Sequence, residues 1–284
     1  MKLPSLFVVG FAFLISAFPN LAADTKVRND AASEKLGLKL ALQCYTFRMV
    51  SFFETVDLAA KMGIKYLEIY PGQNVKPGSK EKIGTNMSEK TVAEIKKKLA
   101  DAGGLKLVAF GVAGIPTDEK GARKMFDWAK GLGIEVLVTE TTPNDVIDKL
   151  TKEFNIKVAL HNHPNSWPAE KVLKACENCG PLVGACADTG HWMRANRIPV
   201  ETLRKLKGKI MSLHIKDLNE FIKGHDVPWG KGKGNMKGIL RELKDQCFTG
   251  YLSIEYEHGG LNDLTVNLPL CIRFFDQTMK ELAK

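Results

Sequence analysis

Acids, imidazoles and one lysine recur in this sequence directly after short apolar runs. Ile134–Thr139 leads to Glu140, Ile156–Leu160 to His161-Asn162-His163-Pro164, and Leu182–Ala187 to Asp188-Thr189-Gly190-His191-Trp192. Ile210–Leu213 leads into His214-Ile215-Lys216-Asp217, and Tyr251–Ile254 into Glu255-Tyr256-Glu257. Apolar runs of this length read as strands buried on both faces. Each polar side chain therefore stands where a buried strand ends, and a carboxylate there must be hydrogen-bonded, paired or bound to a cation. Taken singly, each has a plain structural use: Asp188 caps the next turn, Glu140 caps a helix, His214 bonds within a core, Glu257 faces solvent. Gathered at one rim, so many acids and imidazoles call for a cation. Three carboxylates and one imidazole form a mixed oxygen and nitrogen set suited to Mn²⁺, Mg²⁺ or Co²⁺, and compatible with Zn²⁺. Cys44 is the one thiol near the rim, which argues against a sulfur-rich zinc site.

The elements that must position these residues alternate strictly. Strands are expected at Lys39–Phe47, Lys65–Tyr70, Leu105–Val112, Ile134–Thr139, Ile156–Leu160, Leu182–Ala187, Ile210–Ile215 and Tyr251–Ile254. Helices are expected at about Phe52–Met62, Ser88–Ala102, Thr117–Leu132, Pro143–Phe154, Pro168–Glu177, Pro199–Leu206 and Met236–Cys247, with a last one within Leu264–Leu282. Alternation of this kind predicts a parallel sheet. Eight strand-then-helix units without a spare domain predict an α/β fold made of a single (β/α)8 TIM barrel, with chemistry at the C-terminal ends of the strands. A doubly wound open sheet is the alternative, weakened by the lack of GxGxxG after the first strand. Asn219–Gly234 is long for a βα connection. It is expected either to fold over the mouth, with Trp229 offering a flat apolar face there, or to be a loose basic surface loop.

Residues 1–23 read as a removed export signal: Lys2, an apolar run Leu6–Phe18 too short to span a membrane, and small residues at Ala22-Ala23. The barrel then occupies 24–284, beginning with a loose polar lead-in to Lys35, and the expected location is periplasmic or secreted. Removing Lys2 lowers the formal net charge of +9 to about +8. The excess is spread over helices, as in Lys96-Lys97-Lys98 and Arg204-Lys205, which reads as a solvated face rather than a nucleic-acid surface. Export permits disulfides, and Cys176-x-x-Cys179 reads as a local disulfide or two quiet thiols. No membrane partner is expected after cleavage, and a homo-oligomer is left open.

Together, VLVTE, ALHNHP, ACADTGHW, SLHIKD and GYLSIEYE resemble the xylose isomerase-like TIM-barrel family of sugar isomerases and epimerases. The resemblance runs from the first strand onward and implies one divalent metal, Mn²⁺ foremost, held by Glu140, Asp188, His214 and Glu255. It further implies that Glu140 and Glu255 act as acid and base on a small carbohydrate, and that His191 contacts substrate or orients a ligand. His161 and His163 stand where ketose 3-epimerases commonly carry a glutamate. With Lys216 and Trp229 they complete the substrate-binding candidates. Proton removal beside a carbonyl through an enediolate would give isomerisation or epimerisation, and loss of a β-substituent from a 3-keto sugar or glycoside would make the same site a lyase or hydratase. An abasic-site endonuclease would need further His and Asp ligands for a trinuclear zinc cluster. A non-catalytic sugar-binding barrel would show an eroded ligand set.

Overall fold

Side-chain alternation along the strands decides what enters the barrel. The computed structural model describes residues 28–284, so the expected export segment lies outside the described residues. Eight parallel strands, β1 (Leu38–Gln43), β2 (Tyr66–Ile69), β3 (Lys106–Phe110), β4 (Val136–Thr139), β5 (Lys157–His161), β6 (Val183–Asp188), β7 (Ile210–Ile215) and β8 (Gly250–Ile254), close in chain order, with β8 pairing back onto β1. This is the expected (β/α)8 barrel. Leu38, Leu40 and Leu42 of β1, Leu67 and Ile69 of β2, and Leu213 and Ile215 of β7 point outward into the core shared with the helices. Ala41, Val138, Ala159, Cys186 and Tyr251 cluster inside the barrel. Continuing that period of two towards the strand ends brings Gln43, Glu68, Glu140, His161, Asp188, His214 and Glu255 to the inner side. Small interior residues, Ala41, Ala159 and Cys186 among them, leave space for these larger polar groups.

The helices are α1 (Ala31–Lys35), α2 (Phe52–Lys61), α3 (Glu89–Asp101), α4 (Glu119–Leu132), α5 (Asp145–Phe154), α6 (Ala169–Ala175), α7 (Thr189–Arg194), α8 (Pro199–Lys205), α9 (Met236–Asp245) and α10 (Leu261–Leu282). Their starts follow cap chemistry. Ser51, Ser88, Asp118 and Asn144 each accept a hydrogen bond from the backbone N–H three residues on, and Ser51 with Glu54 completes a capping box on α2.

Three details depart from expectation. β1 stops at Gln43 rather than Phe47, because the Gln43 side chain accepts from Tyr45 N and the chain winds into a single 3-10 turn, Cys44–Phe47. The polar lead-in contains α1, and Arg28 pairs with Asp30 and with Asp276 of α10 at 2.8 Å each, tying it to the barrel. The stretch after β6 starts a short helix, α7. Cys176 and Cys179 are free thiols. Among the described residues no helix is long and apolar enough to cross a membrane.

The close approach of β6 to β7 depends on Gly184. A Cβ there would stand 2.1 Å from the Lys209 carbonyl oxygen, and a backbone group cannot swing aside as a flexible side chain can. Gly184→Ala is therefore expected to destabilise the barrel by about 1–3 kcal/mol, the usual cost of overpacking, as read from the urea midpoint.

Candidate metal centre

Each polar side chain at the mouth is fixed by its neighbours in the motifs. Asn162, between the two histidines, holds the Asp188 backbone from both sides: its Nδ2 donates to Asp188 O at 3.1 Å, and its Oδ1 accepts from Asp188 N at 2.9 Å. Thr189 does the same for Lys216, its hydroxyl donating to Lys216 O at 2.8 Å and accepting from Lys216 N at 2.9 Å. Gly190 has a packing reason. A Cβ at this position would meet the Lys216 side chain at 2.6 Å. The plain and the functional readings of Asp188 are both satisfied: Oδ1 caps α7 by accepting from His191 N at 2.7 Å, while Oδ2 turns to the Lys216 ammonium at 2.6 Å.

Asp188, His214 and Lys216 are buried, and Glu255 is nearly so. The Lys216 ammonium also donates to Glu255 Oε2 and lies 3.7 Å from Glu257. His214 Nδ1 faces Glu255 Oε2 at 3.0 Å, near enough for charge attraction but without hydrogen-bond alignment. His161 is 2% exposed, and neither ring nitrogen has a hydrogen-bond partner, although Nε2 comes within 3.5 Å of Asp188 Oδ2. Burial alone would suppress every charge in this cluster. For Asp188 it is outweighed by Lys216, and for Glu255 by Lys216 and His214, so both carboxyls stay well below their ordinary range. Burial is likewise outweighed at Lys216, where Asp188 and Glu255 raise the ammonium pKa, and at His214, where Cys186, Glu68 and Glu255 raise the imidazole. His161 and His191 go the other way, since burial lowers both, His191 to about 3, and leaves them neutral.

One ligand atom each from His161, Asp188, His214 and Glu255 lie within 4.8 Å of one another. Three of these were expected ligands. The fourth corner is His161 rather than Glu140, which stands with His161 and His163 in a second group of the same span. Glu140 lies just beyond β4, where His163 Nδ1 and Ser166 Oγ both engage its Oε1, at 2.8 and 2.6 Å. Burial works against its ionisation, but those two hydrogen bonds prevail and keep its carboxyl below the usual value. His161 thus joins a buried anionic set to a more open carboxylate–imidazole pair, with centroid distances of 4.7 Å to His163 and 5.7 Å to His191. Its two unpartnered buried nitrogens are the clearest sign that this donor set fits a divalent ion, since such atoms cost free energy unless they find a partner.

Two expected substrate contacts, Trp229 and Lys216, are buried. Trp229 is only 3% exposed and belongs to the core shared with the helices. The loop around it is pinned, because the Asp217 carboxylate accepts from the N–H groups of Gly230, Gly232 and Gly234 at 2.8–3.0 Å. Lys216 is buried beneath the carboxylates rather than facing solvent. Conversely, the sequence reading passed over Glu68, Ser166, Arg194 and Asp226. Arg194 reaches His191 Nδ1 at 3.1 Å, Glu257 at 3.3 Å and Asp226 at 3.5 Å, bracing the rim between α7 and β8. Glu68 had a legible signal: an acid at an inward position in the middle of the buried run Tyr66–Ile69.

Residues 56–269 match the family model described as xylose isomerase-like TIM barrel, and the chain belongs to that family. A solved structure of a protein from Parabacteroides distasonis ATCC 8503 superposes with a TM-score of 0.68 at 32% identity, covering 85% of this chain and 99% of that one. Inosose dehydratase of Clostridium tetani is 30% identical over 131 residues, which span 39% of this chain and 44% of the relative. The chain therefore matches less than half the length of that curated relative. The IOLI protein, solved with a bound zinc atom, shares the fold at 19% identity with a TM-score of 0.59, covering 86% of this chain and 99% of that chain. Members of this family are sugar-processing enzymes.

Lys216 supplies the cation that Asp188 and Glu255 share. Lys216→Met should destabilise the metal-free protein by about 3–5 kcal/mol, the cost of leaving buried charges unpaired. Saturating Mn²⁺ should recover much of that loss, as followed by urea denaturation with and without the ion.

Proposed function

We propose that this chain is a divalent-metal-dependent enzyme that removes a proton beside a carbonyl of a small carbohydrate, in the manner of a sugar isomerase or epimerase. The observation that carries the proposal is the union of the buried set His161, Asp188, His214 and Glu255 with the open pair Glu140 and His163. When bound, a divalent ion supplies Lewis acidity to the carbonyl oxygen and stabilises the enediolate. Asp188, His214 and Glu255 would hold it, completed by His161, with Glu140 near enough to His161 to join on a rotamer change. The zinc atom bound by the IOLI protein, which shares the fold, is in keeping with a divalent ion here.

The remaining roles belong to the chain itself. Glu140 is ionised and exposed at the mouth, which suits it to take the proton. His163, hydrogen-bonded to the same carboxylate oxygen, can pass that proton on or return it. Glu255 is the other acid–base candidate, buried and bound by Lys216. Neutral His191, 11% exposed in its side chain and held by Arg194, presents a donor or acceptor to a hydroxyl. A basic export segment at 1–23 leads us to place the protein in the periplasm or outside the cell. Free or oxidised sugars are then better substrates than sugar phosphates, which are mainly cytoplasmic.

A second outcome, loss of water from a 3-keto sugar, has its own support. Glu140 and His163 lie side by side, an arrangement suited to taking a proton and delivering it to a leaving hydroxyl on one face, and inosose dehydratase is among the relatives. Epimerisation instead requires groups on both faces, Glu140 and Glu255.

Product analysis by NMR in D₂O, with Mn²⁺ added to chelator-stripped protein and a panel of free and 3-keto sugars, separates these outcomes. Deuterium at one carbon with inverted configuration supports epimerisation, transfer to the neighbouring carbon supports isomerisation, and an unsaturated product supports dehydration. No exchange on any sugar with metal present would sink the proposal. Glu140→Gln should lower turnover by ~10²–10⁴, the usual range for a lost general base, while leaving Mn²⁺ binding in place.

A further inference from the structure

We infer that Glu68 is a positioning residue for the metal ligand His214, holding the imidazole by its Nε2–H so that Nδ1 is presented to the metal. The inference rests on the metal reading proposed above. Glu68 is 0% exposed, in the middle of β2, far from any solvent that could stabilise a carboxylate. Its Oε1 lies 2.7 Å from His214 Nε2, and its Oε2 accepts from Ser253 Oγ at 2.6 Å. Ser253 is the β8 register partner of His214 on β7, so the serine and the imidazole approach the carboxylate from adjacent strands. No lysine or arginine is hydrogen-bonded or ion-paired with Glu68 among the described residues. Its one cationic neighbour is His214 itself.

The geometry leaves little freedom to the ring. An imidazole has two nitrogens on opposite sides, and when neutral only one of them is a donor. Glu68 can only accept when ionised, so Nε2 must carry the hydrogen and the lone pair falls at Nδ1. That nitrogen faces Glu255 Oε2 at 3.0 Å, and His214 and Glu255 are both members of the cluster with Asp188 and His161. A carboxylate behind a metal-bound histidine also increases the basicity of the coordinating nitrogen. Ser253 fixes the carboxylate plane, which a lone Glu side chain in a cavity would not do for itself. A burial this costly for a carboxylate is explained when its function is to aim and polarise the ligand opposite.

The test compares Glu68→Gln, which keeps an acceptor without the charge, with Glu68→Ala, which removes both. Mn²⁺ and Zn²⁺ dissociation constants are measured by titration calorimetry on chelator-stripped full-length protein. Affinity should fall by about 10–100-fold in Glu68→Ala, the usual effect of losing such a partner, and by less in Glu68→Gln. A purely structural Glu68 would lower the melting temperature of the metal-free variants but leave both constants at the parent value. That result overturns the inference while the metal reading stands, and a parent that binds neither ion overturns both. A measurement on the parent alone guards against misfolding of the variants. With ¹⁵N-labelled histidine and bound Zn²⁺, His214 should show a metal-bound Nδ1 and a protonated Nε2, and the reverse assignment overturns the inference.

Discussion

A carboxylate pair sealed from water cannot stay ionised without a cation, and everything at the mouth of this barrel is arranged around that constraint. Asp188 and Glu255 share the Lys216 ammonium, whose stem passes over Gly190 and whose backbone is gripped by Thr189. Lys216 is itself buried, so the ion pair has no solvent to fall back on. The motif residues between the charged groups serve this arrangement. Asn162 fixes the height of Asp188, and the alternation of β6, β7 and β8 sends Asp188, His214 and Glu255 towards one point.

Around that point the charges are graded. Asp188 and Glu255 both face the Lys216 ammonium, and Glu255 also faces His214 Nδ1. A divalent ion entering here meets an ammonium already seated on the oxygens it needs. On the proposed metal reading, binding would be an exchange of cations, with Glu257 at 3.7 Å from the lysine as a further anion within reach. Glu140, half open, is engaged by His163 and Ser166 instead of the lysine.

Much of this was legible in the sequence because a buried strand leaves few options to a polar residue at its end. The barrel follows from short apolar runs in alternation with helices, and Asp188, His214 and Glu255 stand out as polar residues at the ends of such runs, in the order the family resemblance implies. What escaped depends on direction rather than on residue type. His161 and Glu140 are both at strand ends, and only the side-chain geometry shows which turns inward to the buried set and which is drawn off by His163 and Ser166. Trp229 in a glycine-rich loop has the composition of a sugar platform, but packing against α10 outcompetes the mouth: Gly230 beside it sits so close to Phe274 that a Cβ would stand 2.3 Å from the ring. Glu68 lies inside a strand rather than at its end, where a search confined to termini does not look.

The anchoring of that loop has a consequence for how the barrel can diversify. Asp217 gathers three glycine N–H groups into a knot, so these glycines give close approach to a carboxylate rather than suppleness. The most exposed portion of the loop is the short tip Phe221–Lys223, where Ile222 is 58% exposed although its N–H donates to Met193 O at 3.1 Å. A designer, or natural drift, can rewrite that tip and leave the knot untouched. The chain thus carries a replaceable fingertip on a fixed knuckle.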